Sequence, residues 1–262
     1  MSMFNRFLAS AMYGGSQVDT LLERGRYAPG EQMRGIVKLR GGPLSRRIEG
    51  IHLILQTDYA EPHLPQGMSR ACTLRRYPVC SYVSVDPLET KELPFCIRLP
   101  AHLPLTIGET SVWLQTVMEN GEAREPSDED RIDVIPSVEQ SIVIDAVNRL
   151  GFRLRSVHCL PWDGNGFSSF MQPFEFVAAS SFQELISGLR LVFWRGAEGM
   201  ELYVYTEPAW EEMRLKPLSA PLDTDHRIKH YNLSDMEWRL LGAEELAEEL
   251  AEWIRTQYRY VT

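Results

Sequence analysis

The sequence predicts an all-β protein of two sandwich-like halves in tandem, with a short helix at each end. Two patterns carry this expectation: apolar-alternating runs broken by turn residues from Ser16 to Thr116 and repeated more loosely after position 138, and helical periodicity confined to the two ends. Halves of residues 1–136 and 137–262 each have the length of an ordinary domain, and a composition of 44% hydrophobic and 10% aromatic residues is enough to fill a core in each.

In the first half, Val18, Thr20 and Leu22 alternate with polar neighbours. Pro29-Gly30 then suits a type II turn, because proline fixes φ and glycine accepts the positive φ that follows. A strand at 35–40 closes at Gly41-Gly42-Pro43, and the run from Arg47 to Tyr59 places Ile51, Leu53 and Leu55 on one face with His52 and Gln56 on the other. Further strands are expected at 69–84, 92–99, 110–118 and 131–135. Residues 119–133 hold seven acids against two arginines, a charge density that resists burial and predicts a solvent-exposed loop.

Pro136 ends a β run and sets the boundary between halves at 135–138. Strands follow near 138–149, 151–159, 172–178, 184–195 and 200–206, with a turn at Trp162–Phe167 and a core strand at Leu189–Trp194. From Ala243 to Tyr258 the period becomes helical: Leu246, Leu250, Trp253 and Ile254 share a stripe, acids crowd the start, and Arg255 and Arg259 stand at the finish. That stripe has three possible cover surfaces, namely the chain's own sheet, a second copy in a homodimer, or another protein. A second amphipathic helix is expected over 3–12, with Phe4, Phe7, Leu8 and Ala11 on one side, and either folds onto its own sandwich or touches a membrane surface or partner.

The formal charge is -9, but residues 1–80 hold 11 Lys/Arg against 6 Asp/Glu, a balance of +5 that leaves -14 for the other 182. An acidic chain argues against nucleic acid as the partner. The apolar run near the N-terminus, Phe7 to Ala9, is too short for a secretory signal, and no apolar run reaches the length of a membrane span, so a cytoplasmic protein is expected. Cys72, Cys80, Cys96 and Cys159 show no CxxC spacing and read as core or near-core thiols, with a hairpin bridge between Cys72 and Cys80 as the alternative.

Motifs that carry chemistry are scarce. Asp128-Glu-Asp130 with Asp133 offers oxygen ligands without the spacing of a calcium loop, as does Asp163-Gly-Asn165-Gly166. His52, His63, His102, His158, His226 and His230 are scattered, and Asp223, Asp225 and His226 have no nucleophile motif beside them. Gly14-Gly15 and Gly41-Gly42 do not make a phosphate loop. Arg46-Arg47 and Arg75-Arg76 form small basic patches, the second beside Tyr77. The reading is therefore no catalytic residue, no cofactor and no metal.

An ordered set of segments resembles the Spo0M sporulation-control family: Val18-Asp19-Thr20, Tyr27-Ala-Pro-Gly-Glu31 followed by Gly35-Ile-Val, Gly41-Gly42, and Ile48 through Tyr59 in IEGIHLILQTDY. Phe95-Cys-Ile-Arg-Leu-Pro100, Ser111-Val-Trp-Leu-Gln-Thr116, Asp133-Val-Ile-Pro136 and Gln172-Pro-Phe-Glu-Phe176 continue it, so that the resemblance covers most of residues 1–178. It implies two tandem arrestin-like β-sandwich domains and a non-enzymatic regulatory adaptor or scaffold in development, stress response or cell division. The partners expected are other proteins, bound through an edge strand, the groove between the halves or a terminal helix. Peripheral membrane association through residues 3–12 is the alternative function.

Overall fold

A computed structural model describes residues 16–60, 69–120, 123–161, 170–178, 182–196, 198–208 and 227–258. Its elements fall into two compact units, the first running through residues 16–58, 69–106 and 111–135 and the second holding 59–60, 107–110 and the described residues from 136 onward.

The first unit is a sandwich of antiparallel strands. One sheet has the order β1-β3-β8, from Gln17–Leu22, Gln32–Arg40 and Thr90–Arg98. The other has the order β2-β10-β9-β5-β6, from Arg26–Tyr27, Ala123–Val134, Val112–Asn120, Gly50–Ala60 and Ser69–Cys80, with β2 joining β10 in parallel. Two short strands, β4 (Arg46–Ile48) and β7 (Val83–Val85), pair beside them. Alternation decides what is buried: Ile51, Leu53 and Leu55 are fully enclosed, together with Leu114 from β9 and Val37 and Leu39 from β3. The expected turn holds, with Gly30 at φ 79° and the Glu31 N–H donating to the Ala28 carbonyl at 3.2 Å.

The acidic stretch expected as a loop is a correction. It forms the end of β9 and nearly all of β10, which pairs with β9 from Ala123 to Ile132 across one bulge after Pro126. Charge density argues about burial, whereas a strand needs only one buried face. Glu129 and Arg131 point to solvent, and Ile132 and Val134 point inward.

The second unit holds a five-stranded antiparallel sheet in the order β11-β14-β15-β16-β17, from Arg153–Val157, Pro173–Val177, Ile186–Arg195, Gly199–Pro208 and Ile228–Ser234. A small pair, β12 (Leu160–Pro161) and β13 (Phe170–Met171), adjoins it. The stretch 138–149 was expected to be a strand and is instead helix α1, Val138–Arg149. Ser137 and Gln140 form a capping box around the start, and Val143, Ala146 and Val147 make the buried stripe. The β-branched run Ile142-Val-Ile144 suggested a strand, yet packing on a helical face overrides so weak a propensity.

The last helix starts earlier than its periodicity indicated. Helix α2 runs from Asp235 to Gln257, capped by Ser234 and Glu237 and kinked at Gly242. Its stripe of Leu246, Leu250 and Ile254 is completely buried within the unit, so of the three covers the sequence allowed it is the chain itself that encloses these residues. Two bonds tie α2 along β16: the Trp238 indole donates to the Met200 carbonyl at 2.8 Å, and the Tyr258 hydroxyl meets that of Thr206 at 3.0 Å. The helix expected over 3–12 lies outside the described residues.

Candidate interaction surfaces

In the first unit the free edge of β1 comes alongside β10, and side chains close the seam between the two sheets. The Thr20 N–H donates to Asp128 Oδ2 at 2.6 Å, and the Thr20 and Thr116 hydroxyls meet at 2.6 Å inside the core. Regular alternation from Asp128 to Val134 puts Asp128 and Asp130 on the inward face, opposite Thr116 and Leu114, where hydrophobic residues would be expected. One carboxylate oxygen of Asp130 is buried without a partner. Burial, then the charges of Asp128 and Asp19, push the Asp130 carboxyl up to about 7, and burial also raises Asp128.

The opposite face of the five-stranded sheet carries a second polar group. Glu119 lies 2.9 Å from His52 Nε2 through one oxygen and accepts from Arg76 through the other, while the Trp113 indole donates to Gln56 at 2.8 Å. Near the edge of the same unit, Asp133 accepts from the Thr106 hydroxyl and from Arg26, both at 2.8 Å, and these two bonds hold its carboxyl below the usual range. None of these groups places a base beside a nucleophile.

In the second unit Arg190 is buried in the central strand β15, with Glu207 at 2.9 Å and Glu175 at 3.6 Å, and Glu175 accepts from the Ser156 hydroxyl at 2.7 Å. An open groove of about 510 Å³ runs between the end of α1 and the middle of α2, floored by Leu150, Ala247 and Ala251 and rimmed by Arg149, Glu248 and Arg255. At the edge of the sheet, β11 exposes Arg153, Leu154 and Arg155 in succession. Mixed charge around a small apolar floor and a half-apolar edge are features of contact surfaces, and neither offers converging catalytic groups.

The SpoOM protein family model matches residues 4–207. The chain belongs to the SpoOM family. It is 32% identical over 207 residues to the sporulation-control protein spo0M of Bacillus subtilis, an alignment covering 77% of this chain and 79% of that protein. The crystal structure of Spo0M from the same organism superposes with a TM-score of 0.78 at 28% identity, covering 94% of this chain and 99% of that one. The all-β, arrestin-like fold expected from the sequence is thereby established, and the family is one of sporulation-control proteins.

Within this SpoOM fold the residues singled out by sequence are dispersed. Asp128 and Asp130 meet in the seam while Asp133 turns away toward Arg26, so the three do not converge. His52 pairs with Glu119, and His230 in β17 stacks on Tyr203 beside Glu201. His102 is partly buried, which lowers its pKa. His63, His226, Asp163, Asn165, Asp223 and Asp225 lie outside the described residues. Arg76 joins Glu119, and Arg75 stacks on Tyr77. Among the described residues, no group of three or more His, Cys, Asp and Glu side chains could hold a metal ion, and no helix is long and apolar enough to cross a membrane.

The thiols need one correction. None of the four is in a disulfide and Cys159 is buried, but Cys96 is exposed, because β8 turns it outward between the buried Phe95 and Ile97. The Arg190 cluster was missed because its arginine sits inside an apolar run, LRLVFW, whose single charge was the available signal.

Proposed function

We propose that this SpoOM protein is a non-enzymatic cytoplasmic regulator of the sporulation-control type that acts by binding another protein through the β11 edge. The observation that carries the reading is the exposed succession Arg153-Leu154-Arg155 on a terminal strand of the second sheet, with Leu154 43% exposed. Among the described residues no strand pairs with the outer side of β11. An extended segment laid along that edge satisfies its backbone groups, Leu154 supplies an apolar contact, and the arginines favour an acidic sequence.

Proximity labelling in the native cell, followed by pairwise binding of the strongest purified candidate, tests this reading. A saturable partner that slows amide exchange over 153–157 and is lost on Leu154→Pro supports it. A partner whose footprint lies elsewhere, or no saturable partner, refutes it.

A further inference from the structure

The first unit ends in an apolar apex that none of the surfaces above includes. The loop from β3 to β4 carries Pro43-Leu44 and the loop from β7 to β8 carries Pro87-Leu88, and both dipeptides are exposed, Leu44 at 79% and Leu88 at 71%. Their four anchoring strand ends are paired, Arg40 with Thr90 and Arg46 with Val85. The loops are clipped together as well: Leu88 N–H donates to the Gly42 carbonyl at 3.1 Å, Gly41 N–H to that of Glu89 at 2.8 Å, and the Ser45 hydroxyl to Asp86 at 3.3 Å. A side chain at Gly41 would put its Cβ 2.1 Å from the Asp86 carbonyl, so only glycine permits this approach.

Leu88 is the one non-glycine residue with positive φ among those described, at 62°. It stands third in the turn Asp86-Pro87-Leu88-Glu89, closed by the Glu89 N–H to the Asp86 carbonyl at 3.1 Å, a place where glycine would carry no strain and a γ-branched residue does.

We propose that this apex is a membrane-contact site that seats Leu44 and Leu88 at the headgroup and acyl boundary of an anionic bilayer. Charge complementarity selects that occupant. Arg40, Arg46, Arg47 and Lys91 flank the two loops against Asp86 and Glu89, a local balance of +2 on a chain of -9. Both carboxylates are turned to the loops themselves, Asp86 toward Ser45 and Glu89 toward the Asp86 N–H and Lys91.

The shape agrees with this occupant. The N–H groups of Gly41, Asp86, Leu88 and Glu89 are all taken within the two loops, so these four offer nothing to an extended peptide, and exposed leucines at two loop tips fit a deformable surface. Two leucines alone hold a protein to lipid weakly, so insertion and arginine attraction must act together.

Vesicle co-sedimentation of the full chain tests it. The wild-type protein is expected to bind phosphatidylglycerol–phosphatidylcholine vesicles, to ignore pure phosphatidylcholine, and to release in about 0.5 M salt. Leu44→Asp combined with Leu88→Gly, where glycine suits the backbone, lowers the partition coefficient at least tenfold, and Arg40→Gln with Arg47→Gln does the same. In Leu44→Trp the added fluorescence is quenched by brominated lipid. Absence of wild-type binding, unchanged binding of the leucine variant, or binding without quenching at position 44 would each overturn the proposal. The last outcome would assign the contact to another element.

Discussion

Replacing Asp130 by asparagine should change how stability depends on pH. The folded state holds this carboxyl at about 7 against an ordinary value of 3.8, since burial and the charges of Asp128 and Asp19 all oppose its ionisation. A folded-state pKa raised above the unfolded one means that the folded protein binds the extra proton, so stability is greatest below the ordinary carboxylate range. It is lost as pH rises toward 7 and is level above that. About three pH units at about 1.4 kcal/mol each give about 4 kcal/mol, and solvent reaching this partly exposed seam reduces that to about 2 kcal/mol. Asparagine keeps the size and cannot ionise. Urea unfolding of both proteins at pH 5, 6, 7 and 8, followed by circular dichroism, gives a difference in stability in which groups that do not touch the seam cancel. Wild type minus Asp130→Asn should fall by about 1 kcal/mol between pH 5 and pH 8, the rest of the loss lying below pH 5. A difference that stays level, or that rises with pH, would refute the placement of Asp130 in a desolvated acidic seam.

Three further predictions concern the second unit and the thiols. Arg239 donates twice to the buried Glu139, at 3.0 and 3.1 Å, so Arg239→Ala should cost about 2 kcal/mol in urea unfolding and Glu139→Gln should recover most of that loss in the double variant. Leu250→Ala empties a fully enclosed site beneath α2 and should cost about 3 kcal/mol, whereas a value under about 1 kcal/mol would place the stripe outside the core. A thiol reagent should modify Cys96 first and Cys159 only on unfolding, as read by mass spectrometry of the labelled peptides.

The elements that sequence predicted well are those whose pattern is local and strong. Ile51, Leu53 and Leu55 alternate without interruption and are buried together, and the last helix shows its stripe over three turns. Those it missed carried conflicting or faint signals. The capping pair Ser137 and Gln140 announced α1 while three β-branched residues argued for a strand. In β17 Tyr231 alone is buried, which leaves no period to read. Exposure of Cys96 followed from the phase of β8, which was legible in the buried residues flanking it.

By itself the sequence determined the class of fold and the positions of most strands and turns, because alternation, helical period and turn chemistry act over a few residues. It also carried the ordered segments that mark the SpoOM family. Only the tertiary structure decided that the acidic stretch is a strand, that Asp128 reaches the backbone of Thr20 across 108 residues, and that Pro43-Leu44 and Pro87-Leu88 share one apex. Each depends on which strands become neighbours when the sheets close. That choice is made by burial summed over the whole unit, and no short window of sequence contains it.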